Sequence, residues 1–196
     1  MSGIERDQVA RRASPPTGKL KKTVVMVGMM GAGKTAVGRA LAARLEVPFL
    51  DSDHEIEAAA NMTVPEIFER DGEAFFRLKE SQVIARLLDA QCGVLSTGGG
   101  AFLMAENRRM ISRRGVSVWL NAGLDVLWSR VRHKDTRPLL RTGDPRATLR
   151  RLYEARVPLY ACADLAVVSD GETPIDGMVD RVVAALATRP DVLEMD

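Results

Sequence analysis

The chain has 196 residues, 46% of them hydrophobic, and a formal net charge of +2; that is the size and apolar content of one ordinary domain with a real core. No apolar run approaches the roughly 18 residues of a membrane helix, and the polar opening MSGIERDQVARRASPPTGKLKK lacks a signal-peptide segment. Cys92 and Cys162 stand in no paired motif, which argues against a disulfide framework or zinc site and for a reducing cytoplasm.

The charge is uneven. Residues 1–22 carry six Lys/Arg and two Asp/Glu, so the rest of the chain is net acidic. The basic balance therefore belongs to a tail and does not argue for nucleic-acid binding. That tail is polar, contains Pro15-Pro16, and reads as a disordered leader over 1–22. Its Glu5 and Asp7 argue against an organelle transit peptide.

From Thr23 the pattern alternates. TVVMVG (23–28) is a strand apolar on both faces, followed by turn glycines and a helix with Val37, Ala40, Leu41 and Leu45 on one side. VPFLD (47–51) and GVLS (93–96) are further strands. A helical stretch over 103–114 ends at Gly115, read as a helix stop, and the strands VSVWL (116–120) and DLAVV (164–168) follow. The last helix opens at Thr173-Pro174-Ile175-Asp176, read as a cap with Pro at the first helical position and an acid in the first turn, and Ile175, Met178, Val179, Val182, Val183 and Leu186 form its apolar stripe. Strands alternating with helices predict an α/β fold, a five-stranded parallel sheet flanked by helices on both faces. The single domain is expected over 23–187, with a tail from 188 to 196.

GMMGAGKT (28–35) matches the phosphate-cradling pattern G-x-x-x-x-G-K-[ST] between a strand and a helix. The glycines let the backbone wrap phosphate oxygens, and N–H groups at the helix start supply positive potential. Gly31, Ala32, Gly33, Lys34, Thr35 and Ala36 form the expected ATP-binding stretch. Lys34 reaches the β- and γ-phosphates, and Thr35 offers a hydroxyl to Mg²⁺. No N-K-x-D base-reading motif is present and the chain is short for a motor, which leaves a kinase with a small acceptor.

LDSDHEIE (50–57) ends a strand with acids at i and i+2. On a continuing strand Asp51 and Asp53 point the same way, Asp51 suited to Mg²⁺ through water and Asp53 to an attacking hydroxyl. Helix capping explains one acid equally well. GEAFFRLKE (72–80) sets Arg77, whose planar fork suits a carboxylate, beside Phe75 and Phe76, both read as core. LSTGGGAF (95–102) carries three glycines in a row; taken alone it is either a loose turn or a backbone surface for a ligand.

Together GMMGAGKT, LDSDHEIE, PEIFERDGEAFFRLKE, STGGGAF, TRPLL (136–140) and ARVPLY (155–160) resemble the shikimate kinase family over about residues 23–187. The resemblance implies a P-loop fold like that of nucleoside-monophosphate kinases. It implies Mg²⁺-assisted transfer of the ATP γ-phosphoryl group to the 3-hydroxyl of shikimate, a step toward aromatic amino acids. Arg77 and Arg156 become the carboxylate clamps, Asp53 the base facing the ring hydroxyls, and Gly98, Gly99 and Gly100 the backbone against the acceptor. Segment 52–80 becomes the acceptor-binding part and 130–145 the lid, with Arg137 over the phosphates and Arg130, rather than Arg132, near the adenine.

Two departures stand out. Asn61 replaces a usual Gly, which left-handed Asn tolerates, and SDGETPID (169–176) lacks a basic residue sometimes found there. Arg108-Arg109, Arg113-Arg114 and Arg150-Arg151 read as helix surface, not a nucleic-acid stripe. The expected partners are shikimate and ATP, with neither nucleic acid nor membrane, on a monomer. The rival readings are a kinase for gluconate or a nucleoside monophosphate, and a non-catalytic ligand-sensing module on the same fold.

Overall fold

The computed structural model describes residues 18–133 and 138–195. Five parallel strands form the central sheet: β2 (Thr23–Val27), β3 (Phe49–Asp51), β4 (Val94–Ser96), β5 (Gly115–Ala122) and β6 (Leu165–Ser169). Their spatial order is β3-β4-β2-β5-β6. All of β2 is buried, as a strand must be when helices cover both sides of the sheet. Helix α1 (Lys34–Arg44) packs on β3 and β4 and against α7 (Ile175–Ala187). Helix α4 (Ala105–Arg114) packs on β5 and against α3 (Val64–Ala90). Two further helices, α5 (Leu124–Val131) and α6 (Pro145–Tyr160), lie side by side. Among the described residues no helix is long and apolar enough to cross a membrane.

Register sets what the sheet can offer at its carboxyl edge. Met26 lies level with Ser96, and Ser96 with Asp51. The loops after β2, β3 and β4 therefore leave the sheet side by side, where ligands bind in open α/β sheets.

The segment after β3 is built differently. Asp51 caps α2 (Ser52–Ala60), and Asn61 ends it in the left-handed region at φ 51°, as its side chain allows. Thr63 then starts α3 with a reciprocal capping box, its hydroxyl on the Glu66 N–H and the Glu66 carboxylate on its own N–H. Gly72 interrupts α3 at φ 83°. Ile56 of α2, Ile67 before the break and Phe76 after it form a small core of their own. Farther along α3, Ile84, Leu87 and Leu88 join the main core.

Several expectations need correction. Phe76 is buried, but Phe75 is 38% exposed, so only one of the aromatic pair is core. Of the α7 stripe, Ile175 is 48% exposed while its companions are buried. Thr173 does not cap α7; its hydroxyl bonds Asp170 at 2.8 Å, and Pro174 precedes the helix without a side-chain cap. Residues 18–20 of the expected disordered leader form a strand, and it pairs with residues 193–195 of the expected tail. Strand β1 (Gly18–Leu20) pairs antiparallel with β7 (Leu193–Met195), and Lys22 meets Asp191 at 2.8 Å. Of the segment taken as lid, Arg130 and Val131 close α5 and Pro145 opens α6. Leu140 is buried in the main core, and residues 134–137 lie outside the described residues.

Gly115 ends α4, but not through left-handed backbone: its φ is −147°. Its role is proximity, because a Cβ there would stand 2.5 Å from the Thr23 carbonyl oxygen, in the neighbouring strand. Gly115→Ala should therefore wedge β5 from β2 and destabilise the fold by about 2–3 kcal/mol, at the upper end for overpacking because the obstacle is backbone. Chemical denaturation checks this; a loss below about 0.5 kcal/mol, the scale of an ordinary surface change, would refute the proximity argument.

Candidate active site

The loop between β2 and α1 turns on glycines that no other residue could replace cheaply. Gly31 has φ 80° and Gly33 φ 95°, and a Cβ on Gly31 would meet Val131 Cγ1 at 2.7 Å. Gly33 is the N-cap of α1 and brings no capping side chain, and the first turn holds no acid. The helix start thus presents bare N–H groups and the positive end of its dipole to the cleft. Lys34 folds back over this loop, its Nζ donating to the carbonyls of Gly28 at 2.9 Å and Met29 at 3.0 Å.

A cleft of about 530 Å³ opens in front. Gly31, Ala32, Gly33, Lys34, Thr35 and Ala36 line it together with Asp51, Asp53, Gly98, Gly99 and Arg130. Arg130 comes from the last turn of α5 and donates to the Gly31 and Ala32 carbonyls at 3.1 and 3.3 Å. It also reaches Ser169 at the end of β6. Thr173, Ile175 and Met178 complete that end, which is why Ile175 is exposed: it faces the cleft, not the core.

Asp51 and Asp53 both face the cleft, though not along a continuing strand. The chain turns into α2 at Ser52, and Asp51 Oδ1 accepts the N–H groups of Asp53 and His54 at 3.0 and 3.2 Å. Capping and cleft are thus two uses of one carboxylate. Thr35 Oγ1 lies 3.4 Å from Ser96 Oγ, and Ser96 shares the Asp51 rung of the sheet.

The three glycines after Thr97 run between charged groups. A Cβ on Gly98 would stand 2.9 Å from Asp53 Oδ1 and 3.1 Å from Glu80 Oε1. On Gly99 it would face Arg156 Nη1 and Tyr160 Oη, both at 3.7 Å, and on Gly100 it would overlap the Arg77 guanidinium. Arg77 and Arg156 do not line the cleft itself; they stand behind these glycines. Arg77 Nη1 binds Glu80 Oε2 at 2.7 Å, and its guanidinium lies 5.3 Å from the Phe76 ring centroid. Arg137 lies outside the described residues.

Five further residues contribute to which the sequence alone assigns no role in the site. Glu80 is buried with Oε1 lacking a protein partner. Ser96 stands opposite Thr35, and Tyr160 bonds Gly99. Arg108, expected on the helix surface, donates to the Phe102 and Leu103 carbonyls at 2.8 Å, while Asn107 holds the Ala101 carbonyl at 2.9 Å. The i, i+3 spacing of Arg77 and Glu80 was the one signal that pointed to such a partner.

Against this geometry stand the known proteins. The family model for shikimate kinase matches residues 30–187. A shikimate kinase of Ruegeria pomeroyi is 74% identical over 195 residues, spanning 100% of both chains. The chain belongs to the shikimate kinase family. One from Cereibacter sphaeroides is 68% identical over 194 residues, 96% of this chain and 97% of that one. The solved shikimate kinase of Acinetobacter baumannii, in complex with shikimate, superposes with a TM-score of 0.80 at 38% identity. That match covers 85% of this chain and 93% of the other. A gluconokinase of Sinorhizobium meliloti, at 19% identity and TM-score 0.56, shares the fold alone. Family membership makes this chain a kinase that uses ATP to phosphorylate shikimate, and it sets aside the gluconate, nucleotide and sensing readings.

Electrostatics make the carboxylate side of this cleft costly to build. Burial pushes the Asp53 carboxyl up to about 6, with Asp51 adding to the rise and Lys34 opposing it. Burial likewise lifts Glu80 to about 7 against the pull of Arg77. A carboxyl raised in the folded state contributes stability below its unfolded value and loses it as pH rises through the folded one. For Asp53 that window runs from 3.8 to about 6. Asp53→Asn should therefore raise the unfolding free energy by about 1–3 kcal/mol at pH 8. The gain should fade as pH falls toward 4. Denaturation at both pH values checks this, and an equal effect at the two would show that charge burial is not its cause.

Proposed function

We propose that the 3-hydroxyl of shikimate is the acceptor and that the residues around this cleft divide the work in the following way. The α1 N-terminus, Lys34 and Arg130 hold the nucleotide, with the triphosphate over Gly31–Ala36 and the base between Arg130 and Ile175. The observation that carries this reading is the meeting of two unlike surfaces in one cleft. A phosphate cradle at a helix N-terminus and a raised-pKa carboxylate, Asp53, line the same cleft.

Mg²⁺ fits between them. No cluster of three or more His, Cys, Asp or Glu occurs among the described residues. Thr35, Ser96 and the Asp51 carboxylate share one edge instead, a sparse oxygen set suited to an ion held chiefly by phosphate and water. Thr35 would be the direct protein contact and Asp51 the water-mediated one. Bound there, the ion would draw charge from the phosphate oxygens.

Asp53 orients the attacking hydroxyl and accepts its proton as the phosphoryl group leaves ADP. A carboxyl lifted to about 6 is ionised at neutral pH yet basic enough for that task. Arg77 and Arg156 bind the acceptor carboxylate behind the bare Gly98–Gly100 backbone. Arg137 closes over the phosphates from the segment between α5 and α6. Cys92 and Cys162 are free and exposed, in keeping with a reducing cytoplasm, where the protein acts as a monomer.

The first test is ADP release from Mg·ATP with and without shikimate. Shikimate should stimulate it strongly, EDTA should abolish it, and gluconate or a nucleoside monophosphate should not replace shikimate. Arg77→Ala should raise the shikimate KM about ten- to a hundredfold and leave the ATP KM near wild type, as loss of a charge-assisted bond predicts. An unchanged shikimate KM would remove Arg77 from the clamp. Lys34→Ala should lower kcat by about a hundredfold or more, because it withdraws charge aimed at the transferring group.

The acid limb of kcat/KM should fall below about pH 6 to 7, the range of Asp53 and Glu80 together. A flat profile from pH 5 to 8 would remove Asp53 from the role of base.

A further inference from the structure

Tyr160 is fully buried, and it is the bulkiest side chain in that state among the described residues. It closes α6, and its ring stacks on Trp119 of β5, with centroids 6.4 Å apart. Packing alone would be served equally by phenylalanine, because a buried hydroxyl is costly unless bonded. Here it is bonded: it donates to the Gly99 carbonyl. The guanidinium of Arg156, one helical turn earlier, stands on the same side of the loop, Nη1 and the Tyr160 hydroxyl each 3.7 Å from where a Cβ on Gly99 would lie.

A trans peptide places C=O and N–H on opposite sides. Holding the Gly99 carbonyl toward the phenol therefore turns the Gly100 N–H away from it, on the far side of the loop. The same hydroxyl stands beside Arg156, a long side chain with several rotamers to lose. Burial holds the phenol pKa above its usual value, so it stays a neutral donor.

We infer that Tyr160 is a positioning residue for the acceptor carboxylate, its hydroxyl tying the Arg156 guanidinium and the Gly99 carbonyl into one rigid receptor. This rests on the carboxylate-clamp reading of Arg156. Removing the hydroxyl frees the guanidinium and leaves the Gly99 carbonyl without its donor. The cost falls on shikimate binding, because the nucleotide end of the cleft is built from other elements.

The test is Tyr160→Phe, which keeps the ring against Trp119. The shikimate KM should rise about tenfold, the size of one bond to a charged group, with kcat and the ATP KM within about twofold. In an Arg156→Ala background the same change should have less than about a twofold further effect, because the two groups act as a unit. Trp119→Phe loosens the packing but keeps the hydroxyl between Gly99 and Arg156, and should leave the shikimate KM unchanged.

The inference is overturned if Tyr160→Phe leaves the shikimate KM at its wild-type value or shifts kcat and the ATP KM by the same factor. A full tenfold loss on top of Arg156→Ala, or a KM rise in Trp119→Phe, overturns it too. A wild-type protein without shikimate-dependent ADP release would instead defeat the functional reading on which it stands, and an Arg156→Ala variant with normal shikimate KM would defeat the clamp.

Discussion

The Arg77 guanidinium lies so close to the α-carbon of Gly100 that any side chain there would overlap it, while its Nη1 grips Glu80 at 2.7 Å. That approach governs the part of the cleft beyond the phosphate-binding loop. It requires a bare backbone after β4, which explains a triple-glycine run whose entropy cost would otherwise be pointless. It also requires α3 to pass directly behind the loop, and so fixes where the second limb of that helix must dock. Thr97 anchors the loop on one side through Met26, and Asn107 and Arg108 hold it on the other. A flexible sequence is thereby made into a fixed surface.

The same closeness sets the electrostatic balance. Asp53 and Glu80 converge on Gly98 from two elements, and both are pushed toward neutrality by burial. Lys34 and Arg77 oppose that shift without cancelling it. Glu80 Oε1, buried and lacking a protein partner, is the unsatisfied group a packed core would have eliminated. The fold tolerates this cost beside the cleft, where the main sheet supplies the excess stability. Strain of this kind, concentrated where chemistry is done, is how stability and activity come to oppose each other.

Local features of this arrangement were legible in the sequence. GMMGAGKT declares its loop because phosphate binding needs glycines, a cation and a hydroxyl at fixed spacing. The sheet strands announce themselves by continuous apolar runs, and Asn61 by its tolerance of left-handed backbone. What could not be read was made by topology. Ser96 faces Thr35 across 61 positions of sequence, and Tyr160 reaches Gly99 across the same distance. Ile175 continues the α7 stripe by period, yet period cannot tell a core from a cleft. Gly115 looked like a helix terminator, and its reason lies in the Thr23 carbonyl of the neighbouring strand. Strand β1 is three residues long and has meaning only when β7 returns beside it.

Arg77 also shows why the residue type matters as much as its charge. It sits where α3 leaves the small core of Ile56, Ile67 and Phe76 and enters the main one. There it touches Glu73 and Glu80 and lies over the rings of Phe68 and Phe76. A guanidinium can do this because its five donors spread in a plane whose faces remain free for aromatic contact. Nη1 is committed to Glu80, yet the planar fork still has N–H groups for a carboxylate. An ammonium in the same place would be a single point, unable to serve the buried Glu80 and a ligand in different directions. The guanidinium is therefore held by the internal ion pair and by the aromatic faces of Phe68 and Phe76.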